Sequence, residues 1–197
     1  MERGVHTALQ VVKKELENAD IPADMFWIGN KPLTGRLGCS YCGKHGKCQY
    51  SDRVNEFLDV SENYDGFVFG TPVHFASAAA SMSAFMDHSF FADQFGNRNN
   101  FQFKSGTVIV SARRTDTTAT IDQLNKYLQY AQMPIVASRY WMVHGQNPEE
   151  VMQDAEGLHA DFRQKYGLAA GMYRKRQAGG LAQPSAPEPR INTNFIR

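Results

Sequence analysis

Cysteine is scarce in this chain, and what there is sits together. Cys39, Cys42 and Cys48 are the only three. An odd number confined to one short stretch excludes the disulfide framework of a small secreted domain. An excess of one charge is also missing. A formal net charge of +1 gives no electrostatic drive towards nucleic acid or an anionic membrane. No apolar run is long enough to span a bilayer, and no secretory leader opens the sequence, so the expected compartment is the cytoplasm. Internal repeats are absent too. What is present is the composition of an ordinary globule: 42% hydrophobic and 21% charged residues over 197 positions, enough for one domain with a sizeable core.

Hydrophobic periodicity divides the chain into alternating helices and strands. Val5 to Glu17 reads as an amphipathic helix with Val5, Leu9, Val12 and Leu16 on one face. Asp24 to Ile28 reads as a strand, and Leu33 to Tyr50 as a glycine-rich loop carrying the cysteines. Ser51 and Asp52 are candidate caps for a helix reaching about Val60. Gly66 to Gly70 is a buried strand, followed by a helix over Ala76 to Phe91 and a polar connection over Asp93 to Lys104. A strand over Gly106 to Ser111, a helix over Thr118 to Tyr130 and a strand over Pro134 to Ser138 come next. Asn147-Pro148 opens a long helix that the pattern carries to Arg176. Continuous apolar strands alternating with helices predict an α/β fold, a parallel sheet covered on both faces. The domain is expected over residues 1–178. Residues 179–197, rich in Gly and Pro, are expected to form an exposed tail whose Phe195-Ile196 pair could dock on a neighbouring subunit.

One stretch is more informative than the rest. Gly66-Phe67-Val68-Phe69-Gly70 stops at Thr71-Pro72, passes Val73-His74-Phe75 and enters a small-residue helix. In open α/β sheets, loops of this kind lie at the carboxyl ends of the strands, where ligands bind. A proline without an N–H beside flat side chains suits a loop that holds a planar ring by shape. Glu2 to Ala8 looks like the end of a phosphate loop running into a helix, yet no strand precedes it. Cys39-x-x-Cys42 could place two thiolates on one metal, but a four-iron cluster needs four ligands. Metal binding, redox chemistry and plain burial all remain open for this loop. His74, His88 and His144 read as structural or surface histidines, and Trp27 and Trp141 as core or interface aromatics.

Four segments together give the chain its resemblance to the flavodoxin-like NAD(P)H-dependent FMN reductases. They are Gly4-Val5-His6-Thr7-Ala8-Leu9, the loop Gly38-Cys39-Ser40-Tyr41-Cys42 with Gly46-Lys47-Cys48, Gly70 to Phe75, and Ser111-Ala112-Arg113-Arg114 with Thr117 to Thr120. The resemblance implies a three-layer sandwich with a parallel sheet in the order 2-1-3-4-5, FMN at the strand carboxyl ends, and a homodimer or homotetramer. It places His6 and Thr7 at the FMN phosphate. Thr71, Pro72, Val73, His74 and Phe75 would lie along the ring and ribityl chain. Ser111, Ala112, Arg113 and Arg114 would lie near the ring's anionic side, with Thr118 touching the ring or capping its helix. No catalytic side chain is assigned. NAD(P)H is the implied donor, and a quinone, a free flavin or a similar small molecule the implied acceptor.

Three departures accompany the resemblance. The family's first strand and most of its phosphate loop have no counterpart here, which leaves three possibilities: an upstream segment, a rearranged sheet, or a sheet completed by another chain. His74 replaces an aromatic, and Arg36 stands where related sequences can carry a further cysteine. Related iron–sulfur flavoproteins hold a cluster in this region, so Cys39, Cys42 and Cys48 are candidate ligands. The substitution by Arg36 weights the expectation towards no metal, ahead of an iron–sulfur cluster or zinc. The two alternative readings are an iron–sulfur electron carrier and a non-catalytic flavodoxin-like protein that has lost FMN.

Overall fold

A computed structural model describes residues 4–50, 53–137, 142–155, 157–158, 175 and 178–179. In chain order the elements are α1 (Gly4–Glu17), α2 (Tyr41–His45), α3 (Arg53–Ser61), β1 (Gly66–His74), β2 (Ser77–Ala78), α4 (Ala80–Phe95), β3 (Ser105–Ala112), α5 (Thr117–Tyr130), β4 (Met142–His144) and α6 (Pro148–Gln153). The sheet has four strands in the order β2-β1-β3-β4. β1 runs parallel to β3 from Gly66↔Ser105 to Pro72↔Ser111, and β3 runs parallel to β4 through Val110↔Met142 and Ala112↔His144. β2 is the antiparallel exception, folding back on the end of β1 through Val73↔Ala78 and His74↔Ser77.

Alternation along the strands builds two cores and hence three layers. Phe69, Val108 and Val110 point to the face carrying α3, α4 and α5, where Phe57, Leu58, Phe85, Phe90, Phe101 and Leu124 are buried. Ile109 and Val143 point to the opposite face, onto Ala8 and Val12 of α1 and Val151 of α6. Gly70 is what lets α1 lie so close: a Cβ there would stand 2.8 Å from Leu9 Cδ1 and 2.9 Å from Val5 Cγ1.

Four elements differ from the sequence expectation. Asp24–Ile28 belongs to no strand among the described residues. The helix expected from Ala76 begins at Ala80. The Ala79 N–H is held instead by Thr71 Oγ1 and the Pro72 carbonyl, both at 3.2 Å, which forces a two-residue hairpin turn at Phe75-Ala76. The Pro134 strand shrinks to one bridge, Gly106↔Ile135, and the named strand lies further on at β4. Helix α6 starts at Pro148 on its Asn147 cap as expected and runs to Gln153, where Asp154 turns at ψ 79°; most of the expected length beyond it, to Arg176, lies outside the described residues. The possible caps Ser51 and Asp52, together with Trp141 and nearly all of the tail, lie outside the described residues.

Candidate functional site

The carboxyl ends of the parallel strands meet the N-terminus of α1. Gly4, its first residue, lies so close to β3 that a Cβ would come within 2.9 Å of Ser111 Oγ. The first turn of α1 carries no acidic side chain, so no carboxylate of that turn sits at its positive dipole end. Two buried polar atoms in that turn, His6 Nδ1 and Thr7 Oγ1, have no hydrogen-bond partner. A buried polar atom left without a partner marks a place that a bound group could satisfy.

The hairpin after β1 forms one wall. Thr71 is fully buried, and its hydroxyl is engaged within the chain, donating to the Pro72 carbonyl at 3.0 Å and accepting from Ala79 N. Its role is therefore to hold the turn. Thr71→Val is expected to lower the unfolding free energy by about 1–2 kcal/mol, with Thr71→Ser retaining most of it, as read by chemical denaturation. At the tip, Phe75 and Ala76 both adopt left-handed backbone, at φ 50° and 67°. A two-residue hairpin of this hand normally employs glycine or asparagine. Here it is built at the expense of local strain, and the Phe75 ring is left fully exposed.

His6, Thr71, Pro72, Val73, His74, Ser111, Ala112 and Arg113 all line one cavity of about 2220 Å³. Four of the residues expected at the site lie outside that lining: Thr7, Phe75, Arg114 and Thr118. Thr7 is buried, and the other three are exposed. Gly145, Gln146 and Asn147, on the loop from β4 to α6, also line the cavity and were not anticipated. Their position after the last strand of a parallel sheet was the available signal. The lining extends far below this mouth, along Ile21 to Pro32 and the outer side of β1.

The cysteine loop lies elsewhere. Cys39 is exposed, Cys42 is buried, and Cys48 is half-buried. Burial pushes the Cys42 thiol up from its ordinary range, although its own and Gly43's backbone N–H groups pull the other way. Cys48 Sγ is 3.6 Å from His88 Nδ1, and the buried His88 Nε2 has no partner. Asn55 staples the loop through Cys48 N at 2.9 Å and the carbonyls of Cys48 and Tyr50 at 2.9 and 2.7 Å. The Arg36 guanidinium stacks 3.8 Å from the Phe91 ring centroid and is 3.6 Å from Asp87. The three thiols and His88 border a space of only about 30 Å³. Among the described residues no three of His, Cys, Asp and Glu are placed to hold one ion. With three sulfur donors the loop as placed does not fit a four-iron cluster.

A parallel sheet packed on both faces, with the N-terminus of α1 at its carboxyl edge, defines a flavodoxin-like class of protein. Residues 2–148 match the NADPH-dependent FMN reductase family, and the chain belongs to that family of flavin-dependent oxidoreductases. An iron–sulfur flavoprotein of Methanocaldococcus jannaschii is 28% identical over 164 residues, covering 78% of this chain and 80% of its own. One from Archaeoglobus fulgidus is 23% identical over 161 residues, covering 80% and 72%. Among solved structures, the flavodoxin-like WrbA-like protein of Agrobacterium tumefaciens superposes with a TM-score of 0.54 at 14% identity, covering 85% of this chain and 90% of that one. An NADH:FMN oxidoreductase in its apo form superposes with a TM-score of 0.54 at 16% identity, covering 87% and 81%. At these identities the superpositions show the fold alone. No helix among the described residues is long and apolar enough to cross a membrane.

Proposed function

We propose that this chain binds FMN at the carboxyl edge of its sheet and carries electrons from NAD(P)H to a small acceptor such as a quinone or a free flavin. The observation that carries this reading is His6 at the start of α1, which lines the cavity and has an unpartnered Nδ1. It suits the FMN phosphate, which the helix N-terminus would hold with its backbone N–H groups. Pro72, Val73 and His74 offer a wall with a half-buried apolar side chain and main-chain groups for the edge of a flat ring. Ser111 and Arg113 stand across the mouth, where a hydroxyl and a guanidinium would favour negative charge on the bound group. When bound, FMN supplies the hydride and one-electron chemistry, and the residues named here orient it and set its charge environment. The cytoplasm and a homodimer or homotetramer belong to the same proposal.

Titration with FMN is expected to quench flavin fluorescence saturably and to leave the protein yellow. Arg113→Ala is expected to weaken FMN binding about tenfold, the loss of one charge-assisted hydrogen bond. Arg114→Ala, outside the cavity, is expected to leave FMN affinity unchanged. A colourless protein that neither quenches FMN nor oxidises NAD(P)H in its presence would return the chain to the non-catalytic reading. Iron in stoichiometric amount would instead favour the electron-carrier reading.

A further inference from the structure

The cysteine loop carries a reactive arrangement that the flavin reading leaves unused. His88, in α4, is only 3% exposed. Its Nδ1 stands 3.6 Å from Cys48 Sγ, and its Nε2 is buried with no partner. A histidine that only ties a fold together uses both ring nitrogens, because an unmet polar atom in the interior is a cost. Here the Cys48 sulfur is the ring's one hydrogen-bond neighbour among the described residues. The ring also lines the space shared by Cys39, Cys42 and Cys48. That space is about 30 Å³, the share of one water molecule in the liquid. It is too small for a four-iron cluster, and among the described residues no three donors converge on one ion.

The three thiols are reduced and differ in setting. Cys42 is buried, and burial pushes its thiol up, which keeps it protonated and a poor nucleophile. Cys39 is exposed, so a disulfide arriving from solvent meets it first. The chain ahead of it is loosely packed: a Cβ at Gly35 or Gly38 would meet no atom within 4 Å beyond its chain neighbours. Cys48 is half-buried and held, since Asn55 accepts from its N–H at 2.9 Å and donates to its carbonyl at 2.9 Å. A loosely held, exposed sulfur bordering the same space as a fixed sulfur with its own imidazole is the layout of a thiol–disulfide exchange site. We propose that Cys39 and Cys48 form a dithiol that reduces low-molecular-weight disulfides, with His88 as the base for Cys48. In the first step the Cys39 thiolate attacks one sulfur of RSSR. The external S–S bond breaks, Cys39–S–S–R forms, and RS⁻ leaves and takes up the proton that Cys39 gave up. In the second step Cys48 passes its proton to His88 Nδ1, and its sulfur attacks that of Cys39. The Cys39–Cys48 disulfide forms, and the second RS⁻ leaves with the proton from His88. The two cysteines lose two electrons in all, and the external disulfide gains them as two thiols.

This site stands apart from FMN binding, because its readout is the state of the thiols. The purified protein, reduced and freed of excess reductant, is mixed with hydroxyethyl disulfide without air, then quenched by alkylation and mapped by mass spectrometry. The expected product is one Cys39–Cys48 disulfide, with Cys42 alkylated once the chain is unfolded. Cys48→Ser is expected to stop at the mixed disulfide on Cys39. His88→Gln is expected to form that mixed disulfide at the parent's rate and to close the internal bond about a hundredfold more slowly, the scale of a lost general base. The parent's own map decides the pairing should His88→Gln fail to fold. Several results would overturn the proposal: a disulfide made through Cys42, a mixed disulfide that persists on Cys39 in the parent, no reaction with the probe, or closure in a folded His88→Gln as fast as in the parent. Zinc or iron held in stoichiometric amount by the purified protein and lost in Cys48→Ser would overturn it as well, by assigning the thiols to a metal.

Discussion

Phe101→Ala is expected to lower the unfolding free energy by about 3–5 kcal/mol, the cost of deleting a large ring from a core that cannot close over the gap. Phe101 is fully buried just after the α4–β3 loop begins to turn back to the sheet. Its ring centroid lies 4.6 Å from that of Phe90, 5.1 Å from Phe67 and 5.8 Å from Phe57, so one side chain joins α3, α4 and β1. A loss of that size is about a fifth or more of the stability of a typical domain. Denaturant titration measures it, with Phe101→Leu as the milder control. A loss below about 1 kcal/mol would show that the aromatic cluster does not organise this face of the sheet.

The second large effect is a dependence on pH. Asp93, near the end of α4, is buried, and its carboxylate accepts from Asn100 N at 2.8 Å. Asn100 in turn donates to the Leu58 carbonyl at 2.8 Å and to Ser61 Oγ at 2.9 Å, tying the loop to α3. Burial pushes the Asp93 carboxyl from 3.8 up to about 6, although the backbone N–H groups of Asn100 and Phe101 and the charges of Arg98 and Lys104 pull it down. A carboxyl whose folded value is raised binds more protons in the native state than in the unfolded one. Its contribution to stability is therefore greatest in acid and is lost as pH rises through about 6. Asp93→Asn removes the buried charge and keeps an acceptor for Asn100. Relative to the parent, this variant is expected to gain about 2 kcal/mol between pH 4.5 and pH 8, measured by parallel denaturation curves. Curves that stay a constant distance apart would show that Asp93 does not titrate in this window.

Much of the fold was legible in the sequence because it is local. The apolar runs Gly66–Gly70 and Gly106–Ser111 became parallel strands, β3 buried on both faces and β1 half-buried. Asn147-Pro148 gave the start of α6, and its side chain accepts from Glu150 N at 2.9 Å. The site was legible in outline for the same reason: each loop that follows a parallel strand opens on the same edge, so Thr71 to His74 and Ser111 to Arg113 had to meet. What sequence reasoning missed was long-range. Nothing near Ala76 reveals that Thr71 Oγ1 and the Pro72 carbonyl capture the Ala79 N–H and delay the helix by a hairpin. Nothing near Asp24 reveals that its strand character depends on a partner.

Residue order and hydrophobic period alone set the alternation of helices and strands, the parallel sheet and the start of α1 near His6-Thr7. Packing in three dimensions decided which of these groups face one another. It folded the Thr71 hydroxyl inward, turned Phe75 out and set Cys48 against His88. The physical reason is that a helix or a turn satisfies its backbone within a few residues, whereas a strand is completed only by a neighbour that local sequence does not specify.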